Sequence, residues 1–421
     1  MRARSDGGFW RPSHGRPPGA QRVRQSSIGP MTDSGAEAAR FLTRNAVDAL
    51  PEGELERQLG QGRALRVKLG VDPTTPDIHL GHAVVLRKLR EFQDLGHQVV
   101  LIIGDYTARV GDPSGRSSVR PFVDPAEIDR HAGTYEAQAF KVLDRSKTEV
   151  RRNGEWLDMP MEELFRLART STVAQLLERD DFAQRYAARE PISILELLYP
   201  LMQGYDSVAV RSDVELGATD QKFNVLLARE IQKAYGLEPQ SILTMPILPG
   251  IDGVLKMSKS LGNYVGVDDP PEEVYGKLMR IPDEATPVYA SLLLESPLDP
   301  ALPPRDAKRA LAYELTARLH GEAAAEAAQA RFDTVHVRRE LPDQIDEFPF
   351  SENGDGAVHL PALLAEAFGI SRSEGRRMLA QAGVKLDGEP LDDSNLDLPA
   401  ERLDGAVIQV GRRRFKRLRR L

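Results

Sequence analysis

The sequence predicts an α/β protein whose main domain is a doubly wound parallel sheet, and two strand–helix–strand repeats carry that prediction. In the first, Leu65 to Val71 alternates as a half-buried strand does. Residues 79–95 then set Val85, Leu89 and Phe92 on one helical face and stop at Gly96, and Val99 to Ile103 is a short, wholly apolar strand. Such a unit is a right-handed βαβ crossover between parallel neighbours. The second repeat runs from Val214-Glu215-Leu216-Gly217 through a helix over 219–235 to a strand near Ile242 to Ile247. Two such halves make a Rossmann-like domain with ligands at the carboxyl ends of its strands. A third observation completes the fold class: the pattern turns helical throughout from Pro270 to about Arg339, and a small α+β module follows.

The other segments are placed by composition. Residues 1–34 are expected to be a disordered N-terminal extension, because 1–30 are rich in Arg, Gly, Pro and Ser, lack periodicity and lack a secretory apolar stretch. Met31 is a plausible alternative start. The main domain then spans 35–269, with a helical insertion at about 125–190 between its halves. An α-helical domain over 270–340, an acidic, Pro-, Asn- and Gly-punctuated linker over 341–356 and a module over 357–421 complete the expected organisation.

Composition narrows the function classes. At 421 residues, 41% hydrophobic and 28% charged, the chain suits a multi-domain globular protein. No apolar run approaches the roughly 18 residues of a membrane helix, so no membrane contact is expected. The absence of cysteine excludes disulfides, a thiolate nucleophile and thiolate metal sites, and suits a reducing, cytoplasmic compartment. Net charge is −7, yet from Val358 onward 12 Lys/Arg face 9 Asp/Glu, and seven of the residues Arg412 to Leu421 are basic. A basic tail on an acidic body implies one localised polyanion contact; a solvated charge run is the alternative.

Two short segments carry the chemistry. His79-Leu80-Gly81-His82 opens the first crossover helix just after Asp72-Pro73-Thr74 ends a strand. A helix N-terminus presents unpaired N–H groups and partial positive charge, which attract anions. His79 and His82 lie one turn apart, and Gly81 allows a nucleotide close to the backbone, so two donors can meet the transferring phosphoryl group of ATP. A capping histidine with a packed partner is the structural alternative. Lys256-Met257-Ser258-Lys259-Ser260 lies between Gly253 and Gly262. Lysines three apart in a short turn can enter one cleft and neutralise departing pyrophosphate, and the glycines suit a loop that closes over ATP. A solvated Lys/Ser loop is the alternative. His79, His82, Lys256 and Lys259 are therefore the catalytic candidates.

In this order on a βαβ framework, the two segments resemble the signature motifs of the class I aminoacyl-tRNA synthetases, and the intervening residues resemble the bacterial tyrosyl-tRNA synthetases from about residue 35 to the C-terminus. Leu69-Gly70-Val71-Asp72-Pro73-Thr74 resembles that family's first strand, and Gly111-Asp112-Pro113-Ser114-Gly115 its second amino-acid-binding segment. Tyr199, Gln203 and Asp206 have the Tyr-x3-Gln-x2-Asp spacing that reads tyrosine, and Gly217-Ala218-Thr219-Asp220-Gln221 resembles the segment at the adenylate ribose and the substrate carboxyl end. The resemblance implies activation of L-tyrosine by ATP to tyrosyl-adenylate and pyrophosphate, then transfer of tyrosyl to the 3′ end of tRNA(Tyr), by a cytoplasmic homodimer. Mg2+ is expected to arrive with ATP, and no protein-bound structural metal is expected. A tryptophanyl-tRNA synthetase is the nearest alternative, which Gln203, Asp206 and the C-terminal module argue against.

Carried over by position, the resemblance implies an ATP site of Gly70, Asp72, Thr74, His79, Gly81, His82, Asp220, Lys256, Lys259 and Ser260. The implied tyrosine site is Lys68, Asp112, Tyr199, Gln203, Asp206 and Gln221. Asp112, Tyr199 and Gln203 would surround the substrate ammonium, Asp206 would accept from the phenol, Asp220 would take a ribose hydroxyl and Gln221 would orient the carboxyl end. No general base is needed, because an amino-acid carboxylate is already ionised at neutral pH. Lys68 stands where many members carry tyrosine, and could donate to the substrate hydroxyl or pair with Asp206. Leu69 lacks a polar contact that some members make near the ribose, and Ala218 replaces a common glycine. Lys68 with Gly104-Asp105-Tyr106-Thr107 resembles the second of two bacterial subgroups, making Asp105 and Thr107 further candidates.

Ser371 to Arg377, then Gly383 to Gly388, resemble an S4 RNA-binding domain. An amphipathic helix would present Arg372, Arg376 and Arg377, a β-unit Lys385, and the tail Arg412, Arg413 and Arg414. Such side chains follow phosphates of folded RNA rather than read bases. The resemblance implies that residues 357–421 grip tRNA while 270–340 contact the anticodon; a charged surface helix is the alternative.

Overall fold

The computed structural model describes residues 35–73, 77–112, 124–338, 345–354, 356–394, 396–411 and 414–421. The extension expected over 1–34, together with Thr74, Pro113 to Gly115, Arg412 and Arg413, lies outside the described residues.

Six strands form the central sheet: β1 (Asp48–Leu50), β2 (Arg66–Val71), β3 (Gln98–Ile103), β4 (Thr148–Arg152), β5 (Val214–Ala218) and β6 (Ser241–Met245). Their spatial order is β1-β6-β5-β2-β3-β4, all parallel except β1, which runs antiparallel to β6. β3 is buried from Val99 to Ile103 and β6 throughout, as strands covered on both faces require. β6 stops where Pro246 cannot donate to the ladder. The chain leaves β2 for β3 on one side and returns as β5 on the other. That reversal opens a crevice at the carboxyl ends of β2 and β5.

Two strands differ from the sequence expectation. β4 lies inside the stretch expected to be helical, and the short β1 was not expected. Thr148-Glu149-Val150-Arg151-Arg152 has a single apolar residue and no buried face of its own; it is a strand because the open edge of β3 pairs with it from Val99 to Ile103. The insertion is otherwise helical, at Pro125–Ala139, Gly154–Leu157, Met161–Ala168, Val173–Leu176 and Asp180–Ala187. The helix expected over 219–235 begins as a 3-10 turn, Thr219–Gln221, and continues as Lys222–Ala234.

Two helices position the cavity described below. Leu80–Asp94 crosses from β2 to β3 and buries Leu80, Val84, Leu86, Leu89 and Phe92. Ile194–Val210 starts with a reciprocal cap, Ser193 Oγ accepting from Glu196 N–H and the Glu196 carboxylate from Ser193 N–H at 2.9 Å. It packs on Lys222–Ala234 at Gly204, where a Cβ would overlap the Ile231 side chain and sit 3.3 Å from Ala228 Cα.

The later helices Pro271–Leu278, Thr286–Leu293, Pro304–His320 and Glu322–Phe332 share one apolar core with the sheet layer: Val274, Tyr275, Tyr289, Leu311 and Leu315 belong to the same cluster as Leu86, Leu89 and Phe92. The C-terminal module has its own core around Leu360, Leu364, Leu379, Ile408 and Leu418. Its strands are β7 (Glu347–Phe350), β8 (Ala357–His359), β9 (Val384–Leu386), β10 (Glu389–Leu391), β11 (Asp397–Pro399), β12 (Val407–Val410) and β13 (Arg414–Arg420). They form a five-stranded sheet, β10-β9-β12-β13-β7, and a separate β11-β8 pair. β7 falls within the expected linker. It pairs with β13, and Glu347 and Asp346 meet Arg419 and Lys416, so opposite charge draws the acidic segment onto the basic strand.

Gly204→Val is expected to lower unfolding free energy in urea by about 2 kcal/mol through overpacking of the two helices. An unchanged midpoint would show that the contact accommodates a side chain.

Candidate active site

At the crevice lies a cavity of about 450 Å3. Gly70 and Asp72 from β2, His79, Gly81 and His82 from the helix start, and Lys256, Lys259 and Ser260 all line it. So do Asp112, Tyr199, Gln203, Asp206, Asp220 and Gln221. Of the described residues expected at the ATP and tyrosine sites, Lys68 does not line it.

Main-chain hydrogen bonds join the two distant motifs. Leu80 N–H donates to Val265 O at 3.0 Å and Val267 N–H to Ile78 O at 2.9 Å, so the segment leaving the lysine loop is bonded to the segment entering the histidine helix. Met257, fully buried, anchors the loop between its two lysines. Asn263 closes it, accepting from Ser258 N–H at 2.8 Å and donating to Asp252 at 2.6 Å. Gly253 and Gly262 both have left-handed backbone, φ +75° and +66°, so each glycine bounds the loop for a conformational reason.

The imidazoles are part of the helix cap. His79 Nδ1 accepts from Gly81 N–H at 3.1 Å, and His82 Nδ1 accepts from His79 N–H at 3.3 Å; the ring centroids are 4.0 Å apart. With each Nδ1 accepting, the neutral tautomer of each ring keeps its proton on Nε2. Burial holds both rings neutral, His79 pushed down to about 2 and His82 to about 4, with Lys256 and Lys259 acting in the same direction. A Cβ at Gly81 would lie 2.8 Å from the His79 ring, so this glycine is required by the cap itself. Both lysines have carboxylate partners: Lys256 with Asp220, and Lys259 with the carbonyl and carboxylate of Asp77.

Opposite the lysines is a hydrogen-bonded pocket. The Tyr199 hydroxyl donates to Asp72 Oδ2 at 2.9 Å, and Thr107 to Asp72 Oδ1 at 2.8 Å. Asp206 accepts from the Trp156 indole N–H at 2.8 Å and from Asn153 Nδ2 at 3.5 Å. Burial raises the Asp206 carboxyl to about 7, against the pull of Lys68 and of these two donors. Gln221 donates to Asp112 at 2.8 Å, and Asn224 donates to Gln203 and Gln221. Arg179 donates to Asn224 and lies 3.7 Å from Asp112.

Sequence reasoning missed Trp156, Asn153, Asn224 and Arg179. The Asn153-Gly154 pair was a turn signal inside the stretch expected to be helical, but nothing local shows that the turn faces Asp206. Lys68 makes no direct hydrogen bond or ion pair with Asp206, although its charge acts on that carboxyl. It is fully buried, 2.9 Å from Glu215 Oε1, and donates to Ser207 Oγ and Gln203 O. Asp105 accepts from Gly154 N–H at the turn and does not line the cavity, whereas Thr107 does. Arg372, Arg376, Arg377, Lys385 and Arg414 are all exposed on the C-terminal module, away from the cavity residues. In the tail, Lys416, Arg419 and Arg420 are paired with Asp346, Glu347 and Glu352, so part of the expected basic surface is locally neutralised.

Residues 61–336 match the family model of tRNA synthetases class I (W and Y). The tyrosine–tRNA ligase of Thermotoga maritima is 51% identical over 395 residues, covering 91% of this chain and 97% of the relative. That of Moorella thermoacetica is 49% identical over 400 residues, covering 91% and 96%. The solved tyrosyl-tRNA synthetase of Archaeoglobus fulgidus, complexed with L-tyrosine, is 26% identical with a TM-score of 0.60, covering 70% of this chain and 99% of that one.

A histidine held neutral stabilises the fold above its unfolded pKa of 6.5, and that contribution is lost as pH falls from 6.5 toward about 4 for His82. In urea unfolding, the stability difference between the protein and His82→Asn should therefore narrow by about 2 kcal/mol between pH 8 and pH 5. A constant difference would show that His82 takes a proton as readily folded as unfolded.

Proposed function

The chain belongs to the class I tRNA synthetases and, within them, to the tyrosine–tRNA ligases, and from that membership we propose how its own side chains perform the reaction. The enzyme activates L-tyrosine with ATP, releasing pyrophosphate, and transfers the tyrosyl group to the 3′ end of tRNA(Tyr). The observation that carries the mechanistic reading is one cavity lined by both motifs and by Tyr199, Gln203 and Asp206.

The tyrosine phenol donates to Asp206, whose other hydrogen bonds come from Trp156 and Asn153. Phenylalanine leaves that buried carboxylate one donor short, a penalty that selects against it. Asp112, Gln203 and the Tyr199 oxygen, whose proton is already given to Asp72, accept from the substrate ammonium, and Gln221 orients the carboxyl end. The carboxylate attacks the α-phosphorus in line, so catalysis is positioning and charge stabilisation. Neutral His79 and His82 donate through Nε2–H to the phosphoryl oxygens. Lys256 and Lys259 exchange Asp220 and Asp77 for the departing pyrophosphate, which frees Asp220 to accept from the ribose. Gly70, Asp72, Gly81 and Ser260 complete the ATP site.

Mg2+ carried by the ATP phosphates would add to the neutralisation of pyrophosphate. Residues 35–269 form the catalytic domain, 270–340 meet the anticodon side of tRNA(Tyr), and Arg372, Arg376, Arg377, Lys385 and Arg414 of the C-terminal module follow its backbone. We assign the enzyme to the cytoplasm, in keeping with its lack of cysteine. A homodimer is supported by exposed apolar side chains in the insertion and at the start of the helix after it: Met161, Phe165, Val173, Tyr186, Ile194 and Leu195 are all more than half exposed.

In ATP–pyrophosphate exchange with each of the twenty amino acids, tyrosine alone should support turnover; tryptophan-dependent exchange would reverse the substrate assignment. Lys259→Ala should lower tyrosine-dependent exchange by about 100-fold or more and leave tyrosine affinity within a few-fold. Equal exchange would make the loop structural. Phe165→Asp should shift the sedimentation coefficient from dimer to monomer, and a dimeric variant would place the interface elsewhere.

A further inference from the structure

Lys68 and Glu215 take no part in the mechanism above, yet they form a buried ion pair directly behind the pocket. They are register neighbours on β2 and β5, with side-chain exposures of 0% and 1%. Lys68 Nζ has three acceptors: Glu215 Oε1 at 2.9 Å, Ser207 Oγ at 2.7 Å and Gln203 O at 3.1 Å. The Glu215 carboxylate has three donors, Lys68, Ser207 Oγ at 3.1 Å and Gln240. Well-packed apolar residues often stabilise a core as well as a buried ion pair does, so the pair is weak evidence for a role in stability alone. Its location points to the pocket. Gln203 and Ser207 lie on either side of Asp206 along the helix that also carries Tyr199, and Lys68 bonds to both.

We propose that Lys68 and Glu215 are positioning residues for tyrosine recognition, bolting the helix Ile194–Val210 to the β2–β5 seam and setting, through opposite charges behind Asp206, how firmly that carboxylate accepts from the substrate phenol. This rests on the reading of Asp206 as the phenol acceptor. The groups that face Asp206 are Lys68 from β2, Glu215 from β5, Asn153 from the turn after β4, Trp156 from the short helix Gly154–Leu157, and Tyr199 on its own helix. Lys68 pulls the Asp206 proton affinity down and Glu215 pushes it up. Each charge thus acts in the opposite sense on the acceptor, although both hold the same helix. An ionised acceptor makes the stronger hydrogen bond, so tyrosine affinity falls as pH drops through the Asp206 titration.

The test is the tyrosine dissociation constant measured by equilibrium dialysis from pH 5.5 to 9, with the tyrosine-over-phenylalanine ratio in pyrophosphate exchange. Lys68→Met should move the inflection to higher pH, weaken tyrosine binding at pH 7.5 by about tenfold and lower the ratio. Glu215→Gln should move the inflection to lower pH, Lys68→Met/Glu215→Gln should return it toward the parent value, and Asp206→Asn should abolish it. Single variants that bind tyrosine more weakly with the inflection unmoved would reduce the pair to a structural brace and overturn the proposal, as would an inflection surviving in Asp206→Asn. Should Lys68→Met fail to fold, Glu215→Gln, which retains the lysine bonds to Ser207 and Gln203, decides by the direction of its shift. A parent enzyme without tyrosine-dependent exchange would instead remove the substrate reading itself.

Discussion

Two main-chain hydrogen bonds, Leu80 to Val265 and Val267 to Ile78, hold the entry of one motif against the exit of the other. The cavity depends on that joint, because the imidazoles sit on a rigid helix start while the lysines sit on a loop bounded by two left-handed glycines. Met257 in the core and Asn263 across the base fix the loop backbone on either side of the lysines. Here they rest on Asp220 and Asp77.

Burial then decides what each ionisable group can do. His79 and His82 are closed into their own cap beside two cations, so both rings are held neutral. Asp206 is buried at the other end, and Lys68, Glu215, Trp156 and Asn153 together determine how readily it ionises. The histidine end and the Asp206 end of the cavity are therefore set by one factor, loss of water, acting with opposite consequences on a base and an acid.

Much of this was legible in the residues. The two βαβ units announce themselves through apolar runs and glycine stops, because strands covered on both faces must be apolar along their length. β4 could not be read, since an edge strand of five mostly polar residues owes its conformation to the neighbouring β3. β7 was hidden for a similar reason: an acidic, proline-containing stretch becomes a strand only where the basic β13 meets it. The helical region from Pro271 onward reads correctly as helix, but its sharing of the sheet's core is a property of packing.

By itself the sequence determined the parallel α/β framework and the two strand–helix–strand units within it, and it supplied the side chains that line the cavity, because these follow from local periodicity and residue type. Only the tertiary structure decided which of them meet. It turned Lys68 away from the cavity toward Glu215, brought Trp156 and Asn153 to Asp206, and made Gly81 a requirement of the histidine cap. Those outcomes depend on side-chain direction and on partners from distant segments, neither of which a one-dimensional pattern contains.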